Sequence, residues 1–236
     1  MALWLGVNRT TRINSCGAQL NQTGIGGLER LMKIGSDYTE NNGLIIGDDE
    51  LARPAWAAHS ELLRDYYDTE WGMPVRDEQG LFERLSLEVF QAGLSWETVL
   101  KKRPAFREAF ANFAPDAVAD FDDEDVERLM NDERIIRNRR KITAVINNAE
   151  ATIALREHGG LAELMWSFKP EKSPEPRSIE EVPSFSEESK ALAKALKKAG
   201  FKFVGPTTVF ASMAAVGIVD INIVGAHRRG ASGVFD

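Results

Sequence analysis

The stretch Gly200-Phe201-Lys202-Phe203-Val204-Gly205-Pro206-Thr207-Thr208 decides the fold of the C-terminal part of the chain. Gly200 suits the left-handed residue that ends a helix, and Pro206 suits the first position of a helix, where its missing N–H costs nothing. The pattern therefore predicts two helices joined by a tight hairpin. Free N–H groups at the start of the second helix form an anion site suited to a phosphate, although such turns are common and mostly structural.

Helical periodicity continues on the N-terminal side of this hairpin. One long helix, ended by Gly159-Gly160, has a continuous apolar face. That face consists of Ile142, Val145, Ile146, Ala149 and Ile153. Another helix begins at Asp122-Asp123-Glu124-Asp125, where acidic side chains complement the helix dipole. Because runs with a period of two are few and no internal repeat is present, the predicted fold class is all-α.

The segment from Tyr66 to Trp96 contains the candidate functional residues. Apolar side chains recur from Leu81 onward at helical spacing, and Glu88 falls on or beside that stripe. A carboxylate in apolar surroundings needs a partner or a function. One interpretation is an ion pair between Glu88 and an Arg or Lys of another helix. The other is a site for a flat, electron-poor ring, with Tyr66 and Trp96 to stack on it and Glu88 to accept its N–H groups.

Composition favours an intracellular enzyme. The chain has 236 residues, 43% of them hydrophobic, which is enough for a full core. Its one cysteine, Cys16, fits a reducing compartment, and no segment has the length of a membrane span, so we expect a cytoplasmic protein. The net charge of −7 argues against a general DNA-coating protein. Basic runs such as Arg134 to Lys141 are either solvated helix faces or a phosphate-facing surface.

The residues that interrupt regular structure, and the segments without periodicity, predict three regions. Residues 1–50 have no sustained periodicity and are expected to form a flexible N-terminal extension. Residues 51–230 are expected to form the core, with the hairpin near residues 200–208. Residues 231–236 are then a C-terminal tail.

Four segments carry a resemblance to a known family. They are YYDTEWGMPVRDEQGLFERLSLEVFQAGLSWETVLKKRPAF from Tyr66, DVERLMNDERIIRNRRKITAVINNA from Asp125, LMWSF from Leu164, and LKKAGFKFVGPTTVFASMAAVGIV from Leu196. Over roughly residues 51–226 the chain resembles the 3-methyladenine DNA glycosylase I family, the constitutive bacterial type. The resemblance implies a helix-hairpin-helix DNA glycosylase with two helical lobes around a base-binding cleft. It also implies hydrolysis of the N-glycosidic bond of 3-methyladenine in alkylated double-stranded DNA, after base flipping and by a monomer.

The resemblance also assigns roles to residues. Tyr66 and Trp96 would stack on the extruded base, and Glu88 would accept hydrogen bonds from its edge. DNA-binding roles would fall to Gln91, Gly93 and Leu94 at the gap left by the base, and to Lys202, Gly205 and Thr207 at the hairpin. Asp220 falls where the wider superfamily places a catalytic aspartate, but an aspartate at a helix boundary is more often a cap.

The sequence departs from the family at its structural zinc site. The positions expected to hold two Cys and two His ligands here hold Pro54, Tyr67, Asn222 and Ala226. Because these side chains are not usual zinc ligands, we expect no metal and no cofactor. Two alternatives stay open. One is a non-catalytic relative that binds DNA lesions, and the other is a glycosylase for other alkylated purines, suggested by Leu63 where an aromatic residue is expected.

Overall fold

The computed structural model describes residues 43–235. Within them, nine α-helices are the main regular elements beside two short strands, which confirms the predicted all-α fold class. The helices are α1 (Glu61–Thr69), α2 (Glu78–Gln91), α3 (Trp96–Ala109), α4 (Pro115–Ala119), α5 (Asp123–Asn131), α6 (Arg139–Leu155), α7 (Gly160–Trp166), α8 (Glu187–Lys198) and α9 (Pro206–Ala215). Short 3₁₀ turns lie at Ala111–Phe113, Arg156–His158 and Ile179–Glu181.

A two-stranded ribbon precedes the helices. Strand β1 (Leu44–Ile46) pairs antiparallel with β2 (Ala52–Pro54), with Ile45 opposite Arg53. Part of the segment that we predicted as an extension, residues 1–50, is thus ordered. The remainder, residues 1–42 with Cys16, lies outside the described residues.

Local capping explains where most of the helices begin. Six of them start after a Ser, Asp or Asn whose side-chain oxygen accepts a hydrogen bond from a first-turn N–H. These caps are Ser60, Asp77, Ser95, Asp122, Asn138 and Ser186. Asp122 and Ser186 form full capping boxes, as the acidic start predicted at Asp122 suggests.

Helix α2 lies at the centre of the described core. It packs against α3, α6, α7 and α9, and every residue from Leu81 to Gln91 is buried. The sequence predicted an amphipathic helix, whereas the structure buries all of its faces from Leu81 onward. Two of its polar residues, Glu83 and Arg84, are tolerated there because they form ion pairs with residues outside the helix.

The C-terminal pair confirms the predicted helix-hairpin-helix. Helix α8 packs on α9, and α9 in turn packs on α2. Gly200 has a φ of 96°, and Pro206 is the first residue of α9, as the sequence predicted. The hairpin is therefore attached to the helix that carries Glu88. Among the described helices, none combines the length and apolarity needed to cross a lipid bilayer.

Candidate active site

Two aromatic rings from different helices meet beside α2. Tyr66 lies on α1, and Trp96 is the first residue of α3, which Ser95 caps. The ring centroids are 5.7 Å apart and the planes are inclined by 47°, and both side chains are buried. Because the two rings are in contact and their planes are inclined, a flat ligand cannot stack between them as between two parallel rings. We call this inclined pair, Tyr66 and Trp96, the aromatic corner.

Glu88 brings a carboxylate to the same place. It is 2% exposed, on the buried central helix. Burial raises the pKa of the Tyr66 phenol well above its usual value; the cation of Arg84 opposes this, and the negative charge of Glu88 adds to it. Tyr66 is therefore a protonated phenol at neutral pH. The structure thus brings together Tyr66, Glu88 and Trp96, as predicted.

An ion-pair network that the sequence reasoning missed lies behind this corner. Arg103 of α3 donates to Glu83 at 2.7 Å and to Glu70 at 2.9 Å. Arg84 also pairs with Glu70, and its guanidinium carbon lies 5.9 Å from the Tyr66 ring centroid. Glu83, five residues before Glu88 on α2, thus forms an ion pair between helices of the kind that the sequence suggested for Glu88.

The loop after α2 contains the residues predicted to occupy the gap in DNA. The side-chain amide of Gln91 donates to the carbonyl of Leu94 at 2.7 Å, and the Leu94 N–H donates back to the carbonyl of Gln91 at 2.7 Å. Gly93 has a φ of 88°, a conformation that a larger residue rarely adopts. These contacts fold residues 91–94 into a compact turn with Gly93 exposed and Leu94 half-buried.

The hairpin presents the other predicted DNA contacts. Lys202 and Thr207 are exposed, and Gly205 is the N-cap of α9 without any side chain to bind the first-turn N–H groups. Phe203 has a φ of 58°, which is strained for an aromatic residue, and its side chain is 41% exposed. The hairpin therefore offers both a lysine and free backbone donors at its surface.

Asp220 is bound within the C-terminal segment. Its Oδ1 accepts hydrogen bonds from the backbone and side-chain N–H groups of Asn222, both at 2.9 Å, and its Oδ2 accepts from the N–H of Gly230 at 2.8 Å. These contacts hold the loop segment after α9, where no described helix begins, so they are not the helix cap that the sequence offered as the alternative to catalysis. A catalytic role for Asp220 stays a prediction.

The four positions of the family's zinc ligands do not fit a metal here. Tyr67 donates its hydroxyl to Oδ1 of Asn222 at 2.6 Å, so both side chains are engaged with each other. Pro54 and Ala226 have no side-chain donor atom. Zinc in structural sites takes cysteine or histidine ligands, and no group of three or more His, Cys, Asp or Glu able to hold a metal is found within residues 43–235.

Comparison with known proteins places the chain among its relatives. The methyladenine glycosylase family matches residues 56–229, most of the chain. The chain belongs to this family. The DNA-3-methyladenine glycosylase 1 of Escherichia coli (strain K12) is 44% identical over 179 residues, covering 74% of this chain and 95% of that protein.

Solved structures agree with this methyladenine glycosylase assignment. The crystal structure of a 3-methyladenine DNA glycosylase I superposes with a TM-score of 0.70 at 44% identity, covering 72% of this chain and 96% of the other. A Tyr-to-Phe variant of a 3-methyladenine DNA glycosylase I, in complex with 3-methyladenine, gives a TM-score of 0.70 at 34% identity, with coverages of 74% and 96%. A structure of a 3-methyladenine DNA glycosylase I with this base bound is therefore known.

Proposed function

We propose that the protein is a monofunctional DNA glycosylase that releases 3-methyladenine from alkylated double-stranded DNA. The observation that supports this most is the convergence of Tyr66, Glu88 and Trp96 from three helices on one buried corner. The names of its relatives agree with this activity. All three side chains come from one chain, so we expect a monomer to suffice, acting on DNA in the cytoplasm.

In the proposed reaction, the protein contributes mainly by positioning the base and by stabilising its charge. A base inside a duplex cannot reach a buried corner, so the nucleotide must be flipped out at a cost of a few kcal/mol. N3-methylation makes the adenine electron-poor and a good leaving group. The ring would stack against Tyr66 or Trp96, and Glu88 would accept its N–H groups and stabilise its positive charge.

Two other elements would hold the DNA. Leu94, on the turn after α2, would enter the space left by the flipped base, with Gln91 and Gly93 shaping that turn. Lys202, with the free N–H groups after Gly205, would bind backbone phosphate. This local arrangement explains how a chain with a net charge of −7 can bind DNA.

A second candidate function is removal of other alkylated purines. Leu63 is buried on α1, one turn before Tyr66 and on the same helix face. An aliphatic side chain in place of a flat ring alters the space near the proposed base site. This observation concerns the range of lesions and leaves the reaction type unchanged.

Chromatography of the bases released from methylated duplex DNA, in the presence of a chelator, tests both candidates. We expect free 3-methyladenine well above a buffer control. Release of other methylated purines at a comparable rate would favour the second candidate. Tight binding to lesion-containing DNA without any released base would establish the non-catalytic alternative and refute the proposed activity.

A further inference from the structure

Helix α6 touches both elements that we propose to hold the DNA. Lys141, near its start, contacts the C-terminal end of α2, and Asn148 contacts the hairpin between α8 and α9. The two residues are seven positions apart, about two helical turns, so they lie on the same face of α6. The sequence placed Lys141 in a basic run, as a solvated or phosphate-facing residue, and suggested no role for Asn148.

Lys141 supplies a tertiary cap for α2. It is 7% exposed, and its ammonium donates to the carbonyls of Phe90 at 2.8 Å and Ala92 at 2.6 Å. The last carbonyls of a helix have no partner within the helix, and a cation there also complements the dipole. Lys141 thereby fixes the point at which the chain leaves α2 for the turn that presents Leu94.

Asn148 holds the hairpin in the same manner. Its side chain is 1% exposed and makes two hydrogen bonds to the backbone of Lys202. Oδ1 accepts from the Lys202 N–H at 2.7 Å, and Nδ2 donates to the Lys202 carbonyl at 3.1 Å. The neighbouring Asn147 donates to the carbonyl of Gly200 at 2.8 Å. The backbone just before the strained Phe203 is therefore fixed by α6.

We propose that α6 sets the spacing between the turn at residues 91–94 and the hairpin at residues 200–205, with Lys141 and Asn148 as its positioning residues. This inference rests on the proposed function. On DNA, the phosphate that the hairpin would bind lies at a fixed distance from the space that the flipped base leaves and that Leu94 would enter. The two protein elements come from distant parts of the chain, and the regular rise of one helix holds them in register.

Two variants separate the two contacts. Lys141→Met keeps the length of the side chain but removes its donors, and we expect it to slow single-turnover release of 3-methyladenine at saturating enzyme by about tenfold or more.

Asn148→Asp keeps the shape of the side chain but sets a carboxylate against the Lys202 carbonyl. We expect it to raise the concentration for half-maximal binding to a duplex with a tetrahydrofuran abasic site by about tenfold. Both should bind free 3-methyladenine, followed by tryptophan fluorescence, as the parent does.

The matched control is Lys102→Met. Lys102 also donates to two backbone carbonyls, of Glu133 at 3.1 Å and Arg134 at 2.9 Å, but contacts neither DNA-holding element through them. It should change neither excision nor DNA binding. If Lys141→Met does not fold, Lys141→Arg, which keeps the charge but displaces the donors, takes its place.

The proposal is overturned if the variants lose free-base binding, excision and DNA binding together. If free-base binding falls in parallel with excision and DNA binding, or if Lys102→Met loses as much as the two variants, then Lys141 and Asn148 merely stabilise the fold. The proposed function fails separately, if the parent itself releases no base. In that case binding to the abasic duplex, with 2-aminopurine beside the site as a reporter of unstacking, still decides the role of α6.

Discussion

At the scale of single residues, Glu88 is the carboxylate whose replacement should affect chemistry more than folding. Glu88→Gln keeps the shape but removes the negative charge that we propose to stabilise the departing base, so single-turnover excision should fall by about 10²–10³-fold. General DNA affinity depends on phosphate contacts and should stay within about twofold. Unchanged excision would return Glu88 to a structural role, and a large drop in melting temperature would reveal a buried ion pair.

Two neighbouring tyrosines provide a matched pair. The Tyr67 hydroxyl is bound to Asn222, whereas the buried Tyr66 hydroxyl has no hydrogen-bond partner among residues 43–235. Tyr67→Phe should therefore destabilise the fold by about 1–3 kcal/mol, because it leaves a buried acceptor unpaired, without impairing excision. Tyr66→Phe should barely change the melting temperature and, because it keeps the ring that we propose to stack on the base, should bind free 3-methyladenine about as well as the parent. Calorimetry and fluorescence titration of both variants test this pair. A large loss of stability in Tyr66→Phe, with none in Tyr67→Phe, would contradict the prediction.

At the scale of elements, the contact between α2 and α3 depends on charge. Burial by itself would raise the pKa of Glu83, but hydrogen bonds from Arg107 and Arg103 outweigh it and hold the pKa below the usual 4.5. Such a carboxylate stabilises the fold above its unfolded pKa, and this contribution is lost as the pH falls through the folded pKa. We expect the melting temperature to drop steeply as the pH decreases below about 4.5.

Glu83→Gln tests the source of this acid sensitivity. The variant should be less stable at neutral pH by about 1–3 kcal/mol, because Arg103 keeps Glu70 but loses its charged partner Glu83, and its melting temperature should depend less on acid. The control is Glu187→Gln, since the Glu187–Lys190 pair lies within α8 with the carboxylate 85% exposed. An acid dependence unchanged by Glu83→Gln would place the titrating groups elsewhere.

The hairpin should contribute to DNA affinity in a salt-dependent way. Lys202 is exposed beside the free donors of α9, and each phosphate contact adds about 0.9 to the slope of log K against log salt. Lys202→Ala should reduce the slope by about this amount and weaken binding to all sequences equally. Lys190→Ala, which removes a lysine paired with Glu187 on the preceding helix, is the control. Equal slopes for both variants would remove Lys202 from the interface.

At the scale of the whole molecule, we expect folding and base release without zinc. Tyr67 and Asn222, 155 positions apart, join α1 to the C-terminal segment by a hydrogen bond where the family places metal ligands. Elemental analysis of protein purified without a histidine tag should find no stoichiometric metal, and a chelator should leave the melting temperature unchanged. One tightly held zinc per chain would contradict the assignment of these positions.

The sequence by itself determined the helical class, the hairpin and the family. Caps such as Asp122, the positive φ at Gly200 and the helix start at Pro206 are local preferences of the backbone, so they can be predicted from neighbouring residues. The order of the motifs likewise identified Tyr66, Glu88 and Trp96 as a set, although their roles stay predictions.

Only the tertiary structure decided which distant groups meet. Lys141 belongs to a basic run that we considered a phosphate-facing surface, yet it is buried against carbonyls about 50 positions earlier in the chain. Asn148 has no sequence signal for its contact with Lys202, and the ion pair by which Glu83 joins α2 to α3 was not predicted. Periodicity shows which face of a helix is buried but not what covers it, because the covering group is set by the packing of segments far apart in the chain.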